Sequence, residues 1–182
     1  MQESLRNISH CPLTAVVAPM GYGKTTAIGW YLKNREEAEN AEAIRISIYS
    51  DNRQIFWKST QKAFADAGFP LLLEYEFPSE LSESVMLAED ICSMFDADKA
   101  CYIFIDDFHL LNSRGVASFL CMIAKKLPGN VHIIAAGRGR VLQNSDIVQL
   151  GRKLHEINAD QFRLNYTELS VYAGKCGISM ND

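Results

Sequence analysis

Ala18-Pro19-Met20-Gly21-Tyr22-Gly23-Lys24-Thr25-Thr26 is the stretch whose reading decides the fold. An apolar run from Leu13 to Ala18 leads into it, and a helical stretch from about Lys24 to Lys33 leaves it. The spacing matches the phosphate-binding pattern G-x-x-x-x-G-K-[ST] at every fixed position but the first, where Ala18 stands for glycine. A loop of this kind wraps backbone N–H groups around an anion, and Gly21 and Gly23 supply the dihedrals it needs. The following helix turns the positive end of its dipole to the same point. Pro19, Gly21, Tyr22, Gly23, Lys24, Thr25 and Thr26 are therefore the expected nucleotide contacts. Lys24 is expected at the β- and γ-phosphates, Thr25 on Mg2+ and Thr26 at the α-phosphate.

Outward from the loop, short apolar runs alternate with longer amphipathic stretches. Ala43–Tyr49 alternates apolar and polar residues and reads as a strand with one wet face, towards a sheet edge. Asp51 or Asn52 is placed to cap a helix running to about Ala67, and residues 68–79 read as a loop. Helices follow at about Glu80–Phe95, 113–127 and Val141–Gly151. The runs Cys101–Ile105 and Val131–Ala136 are continuously apolar, as strands buried on both faces are. A fifth run, Lys153–Ile157, precedes a last helix near Asn165, where Asn165 and Glu168 have the spacing of a capping box. The pattern predicts one α/β domain over residues 1–182, a three-layer P-loop NTPase sandwich with a mainly parallel five-stranded sheet. Ligands of such sheets bind beyond the carboxyl ends of the strands.

Those ends carry the remaining candidates. Asp106 and Asp107 close the Cys101–Ile105 run. A phosphate loop needs a carboxylate at a neighbouring strand end to hold magnesium through its water shell, and Asp106 fits that role. Asp107 is the candidate general base, or the group that orients an attacking water. For both, helix capping or a solvated loop position is the structural alternative. Arg138 follows the fourth run, where a guanidinium could fork onto γ-phosphate oxygens; a plain surface arginine is the alternative, and Arg140 a weaker competitor. His109 is read as a local cap or packing residue.

Composition narrows the function. The net charge of -4 and pI of about 5.6 give no basic excess of the kind that grips nucleic acid. No run of about 18 apolar residues offers a membrane span, and the polar start Met1-Gln2-Glu3-Ser4 is no signal peptide. The five cysteines have no CxxC spacing, so they read as free thiols of a cytoplasmic protein. His10, His132 and His155 are scattered and suggest no metal site.

The loop wording Ala18-Pro19-Met20-Gly21-Tyr22-Gly23-Lys24-Thr25-Thr26 resembles that of the large ATP-dependent LuxR-type transcription regulators, whose ATPases are of the signal-transducing STAND class. Ser50-Asp51-Asn52 with Phe56-Trp57 resembles the segment after their second strand. Ile105-Asp106-Asp107-Phe108-His109-Leu110-Leu111 resembles their Walker B box, and Asp160-Gln161-Phe162-Arg163-Leu164 with Tyr166-Thr167-Glu168 resembles the entry to their post-sheet helix. Gly137-Arg138-Gly139-Arg140 departs from the Ser-Arg-Pro usual there. The resemblance implies an ATP- and Mg2+-binding switch that hydrolyses ATP and self-associates through the full-length protein. It also implies a winged-helix domain, helical repeats and a DNA-binding helix-turn-helix beyond Asp182. A stand-alone P-loop phosphotransferase, or a module that binds nucleotide without turnover, would use the same loop.

Overall fold

In the computed structural model, residues 5–162 are described. Five strands, β1 (Leu13–Val17), β2 (Glu42–Ser47), β3 (Cys101–Asp106), β4 (Val131–Gly137) and β5 (Leu154–Asn158), form one sheet. Their order is β2-β3-β4-β1-β5 and every pairing is parallel. β2 lies at an edge, as its alternating pattern predicts. One expectation is corrected: the acid-bearing strand is not the neighbour of the loop strand, because β4 lies between β3 and β1. The residues of β4 are buried throughout, which explains why that run is apolar without a break.

The sheet is flanked by α1 (Lys24–Glu39), α2 (Arg53–Asp66), α3 (Leu81–Ser93), α4 (Arg114–Lys126) and α5 (Asn144–Leu150). The period of two along each strand divides the core. Leu13, Ala15, Ile103, Ile105, Ile133 and Ala135 face α2, α3 and α4. Val16, Tyr102, Phe104, Ile134 and Ala136 pack with Ile28, Tyr31 and Leu32 of α1 and with Leu5 and Ile8.

Helix ends follow side-chain chemistry. Asn52 is the cap of α2, its Oδ1 accepting from the N–H groups of Gln54 and Ile55 at 2.8 and 3.2 Å. The Glu80–Glu83 pair forms a reciprocal box at α3. α1 runs past Lys33 to Glu39, further than the apolar spacing predicts, because polar pairs continue it. Lys33–Glu37 and Arg35–Glu39 are i,i+4 partners, and Arg45 of β2 forks onto Glu36. The 68–79 loop contains a short 3-10 turn, Pro70–Glu74. The predicted helix from Val141 is confined to Asn144–Leu150; Val141 and Leu142 are buried in a non-helical approach to it. The Asn165–Glu168 box lies outside the described residues.

The buried thiols are inert. Burial pushes Cys101 up to about 12 and Cys121 to about 11, and Cys11 and Cys92 are also free.

Candidate phosphate and magnesium site

The loop between β1 and α1 has the backbone its sequence predicts. Gly21 and Gly23 sit at φ +85° and +72°, and a Cβ added at either would meet nothing within 4 Å. Glycine is needed there for the left-handed backbone and not for room. Gly23 is the N-terminal cap residue of α1, and its carbonyl receives the Ala27 N–H at 2.8 Å. The first N–H groups of the helix have no partner within the helix and face the loop.

Lys24 is buried, and its ammonium donates to the carbonyls of Ala18 and Pro19 at 2.7 and 2.9 Å. The loop thus holds the lysine inside its own curve. Burial lowers the Lys24 pKa, Asp106 and Asp107 raise it, and Arg138 lowers it further. Three of the other candidate charges, Asp106, Asp107 and Arg138, are thus close enough to act on Lys24. Pro19, Tyr22 and Thr26 are exposed around the same turn.

The acidic strand reaches this place although β4 intervenes. The Thr25 hydroxyl donates to Asp106 Oδ2 at 2.7 Å, and the Asp107 N–H donates to Asp106 Oδ1 at 2.9 Å. Both carboxylate oxygens of Asp106 are therefore fixed, one from the loop and one from its own turn. The donor set is hard: a hydroxyl and a carboxylate. That suits Mg2+, which is held by one or two carboxylates together with substrate phosphates. Among the described residues no group of three or more His, Cys, Asp or Glu could hold a metal by itself.

Asp107 differs from its neighbour. Its backbone is left-handed, at φ 55°, and its side chain is 48% exposed. Asp and Asn tolerate this region better than most residues, at a cost. Of the two acids, Asp106 is thus the one fixed through both oxygens, and Asp107 the more exposed. Arg138 is exposed just beyond β4 and is within electrostatic reach of Lys24. Sequence reasoning gave His109 only a local capping or packing role and did not connect it with Gly137. A side chain at position 137 would meet His109 Cβ at 3.3 Å, a contact between residues 28 positions apart that no spacing rule reveals.

Comparisons with known proteins bear on the fold that carries this site. No protein-family model matches the chain. The HTH-type transcriptional regulator MalT of Vibrio parahaemolyticus is 23% identical over 146 residues, 75% of this chain and 15% of that protein. The Vibrio cholerae MalT is 27% identical over 131 residues, 66% of this chain and 14% of its own. The chain therefore spans only a small part of the relatives it matches. Among solved structures, Cdc6p from Pyrobaculum aerophilum superposes with a TM-score of 0.54 at 20% identity, covering 86% of this chain and 41% of that one. Drosophila ORC bound to AT-rich DNA and Cdc6 gives 0.55 at 12% identity, over 93% and 56%. The Aeropyrum pernix ORC2 protein in its ADP form gives 0.51 at 12%, over 96% and 49%. The fold is that of the P-loop NTPases, and its first strand-to-helix loop carries the phosphate-loop sequence. Within that class its sequence homology, distant but extended, is to the MalT regulators. No helix among the described residues is long and apolar enough to cross a membrane.

Proposed function

We propose that the chain binds ATP with Mg2+ and serves as a slowly hydrolysing switch domain of a cytoplasmic LuxR-type transcription regulator of the STAND class. One observation carries the reading: the 2.7 Å hydrogen bond from Thr25 to Asp106. It ties the phosphate loop to the acidic strand across an intervening strand, at the point where Mg2+ and the phosphates would meet.

Each residue then has a task. Gly21, Gly23 and the backbone from Pro19 through Tyr22 curve around the phosphates, and Thr26 faces the α-phosphate. Lys24 turns from the Ala18 and Pro19 carbonyls to the β- and γ-phosphate oxygens, exchanging neutral acceptors for charged ones. Thr25 and Asp106 would hold Mg2+, which would supply charge neutralisation at the phosphates. Asp107 orients the attacking water and Arg138 reads the γ-phosphate. The name of the MalT relatives, HTH-type transcriptional regulators, supports the regulatory setting, and the ADP form of a structural neighbour supports the nucleotide. DNA contact and self-association would belong to the full-length regulator, in keeping with the net charge of -4 on this chain.

Calorimetry with ATP and GTP, with and without magnesium, tests the reading. Magnesium-dependent ATP binding that disappears in Lys24→Ala is the expected result. No nucleotide binding by the unmodified chain would overturn it.

A further inference from the structure

The carboxyl end of the sheet holds one polar atom that the proposed chemistry leaves unused. His109 Nδ1 is buried and has no hydrogen-bond partner. It faces Asp107 Oδ1 at 3.7 Å. A buried polar atom without a partner is costly, so its direction calls for a physical reason.

Two features hold the pair in place. The turn Phe108–Leu110 is closed by the Leu110 N–H on the Asp107 carbonyl at 2.9 Å, behind the left-handed backbone of Asp107. On the other side lies Gly137, at the end of β4. A Cβ there would fall 3.3 Å from His109 Cβ and 3.4 Å from the His109 backbone nitrogen. The absent side chain at position 137 thus lets the His109 turn close against β4, next to Arg138. The imidazole is seated by the sheet, while the carboxylate before it is half exposed and has no comparable support.

We propose that His109 is a positioning residue for Asp107: its Nδ1 carries the proton and donates to Asp107 Oδ1, fixing the carboxylate towards the phosphate end of the site. This rests on the reading of Asp107 as the water-orienting group. Bonds between catalytic partners are commonly long before substrate arrives and tighten with it, so 3.7 Å suits a pair waiting to close. A carboxylate facing one ring nitrogen selects the tautomer with the proton on that nitrogen.

The tautomer is measurable without nucleotide or turnover. Nitrogen-15 imidazole spectra are recorded at mildly alkaline pH on the chain and on Asp107→Gly. Glycine keeps the left-handed backbone and removes only the carboxylate. The expected result is a His109 ring protonated on Nδ1 in the chain and shifted towards Nε2 in the variant. An Nε2–H ring in the chain, or an unchanged Nδ1–H ring in Asp107→Gly, would overturn the proposal. Single-turnover hydrolysis gives a second readout. His109→Leu keeps bulk without a donor and should slow the step on the order of tenfold, with Mg–ATP affinity held within about twofold. His109→Asn, which returns an N–H near the Nδ1 position, should recover most of the rate. Equal losses in the two variants would mean packing alone and overturn the assignment. The two readings separate cleanly. Absent Mg–ATP binding with an Nδ1–H ring sinks the proposed function, whereas intact binding with an Nε2–H ring sinks this inference.

Discussion

At the carboxyl end of the sheet, Thr25 and Asp106 join two segments side chain to side chain; at the amino end, Asn130 and His132 meet backbone carbonyls. Thr25 donates to Asp106, and His109 faces Asp107. At the other end, Asn130 donates to the carbonyls of Asp96 and Lys99, both at 2.6 Å, and His132 Nδ1 lies 3.0 Å from the Cys11 carbonyl. His132 is also stacked on Tyr102, with ring centroids 5.2 Å apart. Asn130 and His132 tie chain segments together at the amino end, away from the phosphate loop. Thr25, Asp106 and Lys24 hold partners at the loop that a ligand could replace. Each end can therefore be disturbed without the other.

The largest break should come from Lys24→Ala. Hydrogen bonds to charged groups contribute about 1.5–3 kcal/mol each, so losing the ammonium should weaken ATP binding on the order of a hundredfold. The melting temperature should change little, since the variant also removes a buried charge. A matching loss of stability would show that the lysine is structural and blur the contrast. Thr25→Val is next. It keeps the shape and removes the hydroxyl, so the gain in ATP affinity from magnesium should fall by about tenfold, one lost ligand or hydrogen bond to a charged group. Titrating magnesium at fixed nucleotide measures it.

At the amino end the signs reverse. Asn130→Ala leaves two carbonyls short of a donor and should cost about 1–2 kcal/mol of stability, read by chemical denaturation, with ATP affinity unchanged. The smallest effect is in pH. Burial, aided by His10 and Arg35, lowers the His132 pKa below its ordinary 6.5, against the Cys11 carbonyl, which raises it. Protons therefore bind the unfolded chain first. The stability contributed by neutral His132 is complete above about pH 6.5 and is lost as the pH falls towards the lowered folded value. His132→Phe keeps a ring on Tyr102 and should flatten the acid limb of a stability–pH curve. An unchanged limb would assign the acid sensitivity to other groups.

The same division explains what was legible beforehand. The loop from Pro19 to Thr26 is local: one stretch of chain carries its glycines, its lysine and its helix start, so pattern alone exposes it. The five strands were legible because a doubly buried strand must be apolar and an edge strand may alternate. Where polar contacts replaced apolar ones, as in the last turns of α1, the pattern under-reported the element. Where apolar residues packed without regular structure, as at Val141 and Leu142, it over-reported the helix.

By itself the sequence determined the class of fold, through the alternation of apolar runs and amphipathic stretches, and it marked the candidate phosphate loop and the paired acids, because each of these lies within a few consecutive residues. Tertiary structure alone decided that β4 separates the loop strand from the acidic strand, that Asp106 and not Asp107 bonds to Thr25, and that His109 rests against Gly137. Strand order and side-chain contact arise from packing between segments distant in the chain, and no local spacing records which segment will lie beside which.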